Sequence, residues 1–139
     1  MTIEVRVPRP RAVLVVASVR PEVVDGPCVD VAPGRLATFD GDRLSAPVHV
    51  ACGDDRRTFE RTDHAGVTAA VSESVRTKRA RTVRFGNRAV FHRFGPTSSL
   101  RSLERRLAEV ADREGATLLA WTDAGVPDAH GGVYDVVVE

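Results

Sequence analysis

The sequence predicts an α+β domain: a mainly antiparallel sheet of about six to eight strands with two helices packed on one face. Three observations lead there. Short segments with alternating or continuous apolar patterning recur along the chain, as strands do. Two segments switch to the 3.6-residue period of an amphipathic helix. The clearest turn signals, Asp40-Gly41 and Gly86-Asn87, are those of tight hairpins, which join antiparallel neighbours.

Taken in order, Ile3, Val5 and Val7 alternate with Glu4 and Arg6, a half-buried strand that Pro8 and Pro10 end. Ala12 to Val19 is continuous and β-branched, which suits a strand covered on both faces. Asp-Gly-Pro at 25–27 and Ala-Pro-Gly at 32–34 flank a short CVDV strand. RLATF and DRLSAP sit either side of Asp40-Gly41. VHVAC (48–52) reads as another strand, and RTFER pairs with it.

Then the period changes. Asp63 is a plausible N-cap, followed by Val67, Val71 and Val75 on one helical face. RTVRF and RAVFHRF read as two strands around Gly86-Asn87. Residues 99–114 carry the best helical stripe, Leu100, Leu103, Leu107 and Val110, with Gly115 placed to end it in a left-handed conformation. TLLAW (117–121) and VYDVVV (133–138) close the chain, and the apolar last strand reads as central. The organisation is one domain over 1–139, β-rich in 1–62, helix–hairpin–helix in 63–115, with closing strands in 116–139.

Composition narrows the function classes. With 139 residues and 42% hydrophobic content the chain is long and apolar enough to bury a core without a metal or disulfide staple. Cys28 and Cys52 form no disulfide framework, and no signal peptide or spanning segment is visible. A cytoplasmic location, free thiols and no membrane partner are therefore expected. Nineteen arginines against a single lysine, Lys78, suggest GC-rich coding, so arginine alone is weak evidence of recognition.

The distribution of charge says more than its total. The net charge is +1, yet residues 74–103 carry +8 and no acid. Residues 1–73 carry −2 and 104–139 carry −5. If a hairpin turns at Gly86-Asn87, strand parity puts Val83, Phe85 and Val90 in the core and Arg84, Phe91 and Arg93 outside. Arg79, Arg81, Arg84, Arg88 and Arg93 around an exposed Phe91 then form a surface for phosphate contact and base stacking, or for an acidic protein partner. The plainer reading pairs these cations with Glu104, Glu109, Asp112 and Glu114 on the last helix. Complementary patches on two copies would instead give a homo-oligomer.

The stretch TKRARTVRFGNRAVFHRF…SLRSLERRL, from about Asp63 to Glu114, loosely resembles the small phage head-to-tail joining proteins in its order of elements. That resemblance implies an assembly role near nucleic acid. The first sixty or so residues have no counterpart there.

Catalytic chemistry has fewer footholds. Asp123, Asp128, His130 and Asp135 stand in a Gly- and Pro-containing loop where His with Asp can act as a general base and carboxylates can hold a cation. No nucleophile motif, phosphate-binding glycine loop or HEXXH accompanies them. Cys28, His49, Cys52 and His64 lack zinc-site spacing, and a strand would point His49 and Cys52 to opposite faces. The expectation is a non-enzymatic binding or assembly domain without cofactor or metal, which uses a basic β-hairpin. The alternatives are a small enzyme using Asp123, Asp128 and His130, and a self-assembling structural protein.

Overall fold

The computed structural model describes residues 4–5, 12–24, 26–34, 37–39, 43–45, 47–93, 97–123 and 133–138. Along the chain these form β1 (Glu4–Val5), β2 (Ala12–Val16), β3 (Glu22–Val23), β4 (Cys28–Pro33), β5 (Ala37–Phe39), β6 (Arg43–Ser45), β7 (Val48–Cys52) and β8 (Asp55–Phe59). The rest are α1 (His64–Lys78), β9 (Thr82–Phe85), α2 (Arg88–Arg93), α3 (Thr97–Arg113), β10 (Thr117–Thr122) and β11 (Val136–Val138). The main sheet has seven strands in the order β11-β2-β10-β9-β4-β7-β8.

This corrects the expected mainly antiparallel sheet. β11, β2, β10, β9 and β4 run parallel, and only β7 and β8 join antiparallel. The physical reason lies in the connections. α1 separates β8 from β9, and α2 with α3 separates β9 from β10, so the chain returns to the same edge before each new strand. Parallel strands are covered on both faces and read as continuous apolar runs, as AVLVV and TLLAW do.

Two further expectations are overturned. No hairpin forms at Gly86-Asn87, because the residues after it are helical. Asn87 Oδ1 accepts the Ala89 N–H at 2.9 Å and caps α2. The helix–hairpin–helix order behind the phage-protein resemblance is therefore not what forms. The final strand is also not central: among the described residues β11 pairs β2 alone and stands at the sheet edge. β5 and β6 pair antiparallel in a ladder of their own, and Asp40-Gly41 between them lies outside the described residues.

α1 and α3 share one face of the sheet. Asp63 caps α1, its Oδ1 accepting the Gly66 N–H at 2.9 Å, and Val67, Val71 and Val75 are buried. Leu100, Leu103, Leu107 and Val110 bury the inner stripe of α3. Beneath both helices lie Leu14, Val29, Val31, Val83, Phe85, Leu118 and Ala120. Phe91 of α2 joins them, its ring centroid 4.8 Å from that of Phe85. On the opposite face Val13, Val15 and Leu119 form a second buried cluster with Val23, Trp121 and Val136 packed against it. Among the described residues no helix is long and apolar enough to cross a membrane.

Candidate functional site

Half of the basic run, Arg76, Lys78, Arg84 and Arg88, is matched to acids inside the chain. Arg84 stands opposite Asp30 in the parallel register of β9 and β4, and the two make a bidentate pair at 2.6 and 3.0 Å. Its Nη1 also donates to the Pro21 carbonyl at 2.7 Å, so the segment after β2 crosses this face of the sheet. Arg88 is 2% exposed, and its Nε donates to Glu104 Oε1 at 2.5 Å. Arg76 forms a bidentate pair with Glu114 at 2.6 and 2.8 Å, and Lys78 meets Asp55 at 3.1 Å.

The predicted surface residues are therefore dispersed. Phe91 is buried at 4%, not exposed, because α2 turns it onto Phe85. Arg84 and Arg88 are interior ion-pair members. Arg79 and Arg81 are exposed at the end of α1 and before β9, and Arg79 holds a left-handed conformation as the helix C-cap. Arg93 belongs to α2, but its side chain is outside the described residues.

The two described carboxylates of the expected site, Asp123 and Asp135, lie at opposite ends of the parallel strands. Asp123 follows β10, and its Oδ2 accepts the Asn87 Nδ2–H at 2.8 Å. Asp135 precedes β11, where its Oδ2 accepts the Ala12 N–H at 3.2 Å at the start of β2. β2, β10 and β11 are parallel, so these positions are a strand length apart. Asp128 and His130 lie outside the described residues. His49 and Cys52 face opposite sides of β7, and His49 Nδ1 contacts Thr58 Oγ1 at 2.8 Å. Among the described residues no three His, Cys, Asp or Glu side chains group as metal ligands.

A different constellation forms where α1 and α3 begin. β8 runs parallel to β4, and α3 runs back from the end of β9 to the start of β10. Both helices thus start at the edge where the parallel strands end. Open α/β sheets commonly bind ligands outside that edge. His64 opens α1 and Ser99 stands in the first turn of α3, with Ser99 Oγ 3.5 Å from His64 Nε2. Arg61, just before α1, donates through Nη2 to the Phe91 carbonyl of α2, which holds the guanidinium beside this edge.

The electrostatics of the cluster are one-sided. Burial keeps the His64 imidazole below its ordinary range, the neighbouring Arg106 and Arg61 push it the same way, and Asp63 opposes them weakly. Burial alone also lowers Arg61, and among the described residues no carboxylate is paired with it. Its Nη1 is buried without a hydrogen-bond partner. Arg106 further lines a groove of about 550 Å³ between α1 and α3, beside Glu109, Val110 and Arg113, with Ala65, Thr68, Ala69 and Ser72 along the other wall. A hydroxyl and an imidazole thus touch, two guanidinium groups act on that imidazole through their charge, and one of these, Arg106, also faces the groove.

Sequence reasoning weighed His64 only as a zinc ligand and passed over Arg61, Ser99 and Arg106. His64 and Ser99 are 35 positions apart, so no local spacing announces their contact. No family model matches the chain, and no curated protein does.

Proposed function

We propose that the chain is a binding domain for a partner carrying an anionic group, and that the group docks on Arg61, His64, Ser99 and Arg106. Arg61 carries this reading. Its guanidinium is partly withdrawn from water, it has an unpartnered buried Nη1, and no carboxylate among the described residues offsets it. A desolvated charge lacking a counter-charge is unfavourable, and an anion arriving there relieves that cost.

The basic run supports binding less well. Arg76, Lys78, Arg84 and Arg88 already have acidic partners. A partner displacing them would have to leave those acids unmatched. The cluster is also small. Two guanidinium groups suit one discrete oxyanion through paired N–H donors, whereas a nucleic-acid backbone needs a longer track of cations. A single-stranded oligonucleotide engaging only these two charges would show a log–log salt slope of about −1.4.

Thermal melting in phosphate against chloride at equal ionic strength tests the reading. Saturating phosphate at a hundred times its Kd stabilises the wild type by about 2.7 kcal/mol. Arg61→Gln and Arg106→Gln should each lose most of that gain, while Arg79→Glu with Arg81→Glu should keep it. Arg106 is exposed, so its substitution separates lost binding from a damaged fold. An undiminished response in both glutamine variants rejects the site.

A further inference from the structure

The cluster's donor and acceptor pattern carries a narrower conclusion about the ligand, which rests on the anion-binding reading above. A permanently unprotonated oxyanion such as sulfate accepts hydrogen bonds at every oxygen and donates none. It is best met by donors only. A phosphate monoester with a second pKa of about 6 keeps a hydroxyl over part of the physiological range, so it can donate one hydrogen bond as well as accept several.

The site is not made of donors only. Arg61 Nη1 and the Arg106 guanidinium can only donate, and Ser99 can donate or accept. His64 is different. Burial and the two arginines favour the neutral imidazole, in which one ring nitrogen offers a lone pair. That nitrogen is Nε2 if Ser99 is its donor, and the 3.5 Å separation from Ser99 Oγ is at the outer limit of a hydrogen bond. A ligand hydroxyl can take Ser99's place with little loss, leaving Ser99 free to turn its proton to another ligand oxygen. The groups facing His64 are Arg61 ahead of α1, Asp63 at its cap, and Ser99 and Arg106 on α3. Asp63 accepts the Gly66 N–H through Oδ1, and its charge works against the two arginines by raising the His64 pKa.

We infer that this cluster selects a protonatable tetrahedral oxyanion, the phosphate end of a phosphomonoester, over sulfate, with His64 accepting the ligand's own proton. The groove that Arg106 lines between α1 and α3 gives the organic part of such a ligand somewhere to lie. Its α1 wall is Ala, Thr and Ser and its α3 wall is Arg106, Glu109, Val110 and Arg113, a lining that suits a small polar body.

Isothermal titration of the full chain with inorganic phosphate and with sulfate, at matched ionic strength near pH 6.5, tests the inference. Phosphate should bind at least about tenfold more tightly, the lower part of the range for one mismatched buried polar contact. His64→Lys replaces the acceptor with a donor and should bring the phosphate-to-sulfate ratio to about one while anion binding persists. Acidifying the wild type until His64 takes a proton should lower the same ratio, which needs no variant to fold. Equal affinities in the wild type, or a preference that survives both His64→Lys and acidification, overturn the selectivity and leave anion binding standing. Binding of neither anion defeats the underlying site as well.

Discussion

The buried pair of Arg88 and Glu104 gives a sharp test of how this fold handles its basic run. Both side chains are 3% exposed and meet at 2.5 Å between α2 and α3. The Tyr134 hydroxyl interacts with both charges without a well-formed hydrogen bond, and burial, followed by the Glu104 carboxylate, holds its pKa well above the ordinary phenol value. Glu104→Leu leaves Arg88 charged and buried with no counter-ion, which costs about 3–5 kcal/mol. Arg88→Met leaves the carboxylate in the same position at a similar cost. At 139 residues a loss of about 3 kcal/mol lowers the melting temperature by roughly 10 °C. The double variant removes both charges and should return to within about 1 kcal/mol of the wild type, or exceed it. Urea unfolding of the four proteins closes the cycle. If either single variant costs less than about 1 kcal/mol, or the double costs the sum of the singles, the pair is not buried and coupled as described.

Three other outcomes follow from single positions. Burial, and then Asp30 nearby, push the Cys28 thiol up to about 12, so at pH 8 only about one molecule in ten thousand carries its thiolate. Labelling by a thiol reagent should therefore be slow in the folded protein and fast in urea; rapid labelling of folded Cys28 contradicts this environment. A Cβ at Gly86 would sit 2.5 Å from the Trp121 ring and 2.7 Å from its carbonyl oxygen, so Gly86→Ala should destabilise by about 1–3 kcal/mol in chemical denaturation, and a neutral result contradicts that close approach. Arg79 caps α1 at φ 54°, a conformation glycine adopts freely, so Arg79→Gly should stabilise by up to about 1 kcal/mol; a loss of stability would show that its side chain has an important contact.

Much of the helical layer was legible because its signals are local. The leucine stripe of α3 and the Asp63 cap of α1 fall within a few residues of each other, and burial follows their period. The acids of the last helix were also recognisable as partners for the basic run, which Arg88–Glu104 and Arg76–Glu114 realise. Strand direction was less accessible. AVLVV and TLLAW carried the pattern of two-sided burial, but Gly86-Asn87 has the same appearance in a hairpin and ahead of a short helix. What decides the outcome there is tertiary: Arg88 reaches Glu104 and Phe91 reaches Phe85, 16 positions away in one case and across a turn in the other. Once residues 88–93 are helical, strand parity no longer applies to them, and Phe91 moves from the expected surface to the core. Three valines in β11 look central by composition, and nothing local shows that β2 is their only neighbour among the described residues. The Arg61–His64–Ser99–Arg106 cluster is the extreme case, since α1 and α3 must pack before its members meet.

The most direct test of the central claim is a backbone amide chemical-shift map of the labelled protein titrated with inorganic phosphate at constant ionic strength. The proposed site predicts saturable shifts confined to residues around Arg61–Thr68 and Ser99–Arg106, with Arg79, Arg81 and Arg84 unmoved. Saturable shifts centred on Arg79, Arg81 and Arg84, with His64 and Ser99 silent, would return recognition to the basic run and contradict the account.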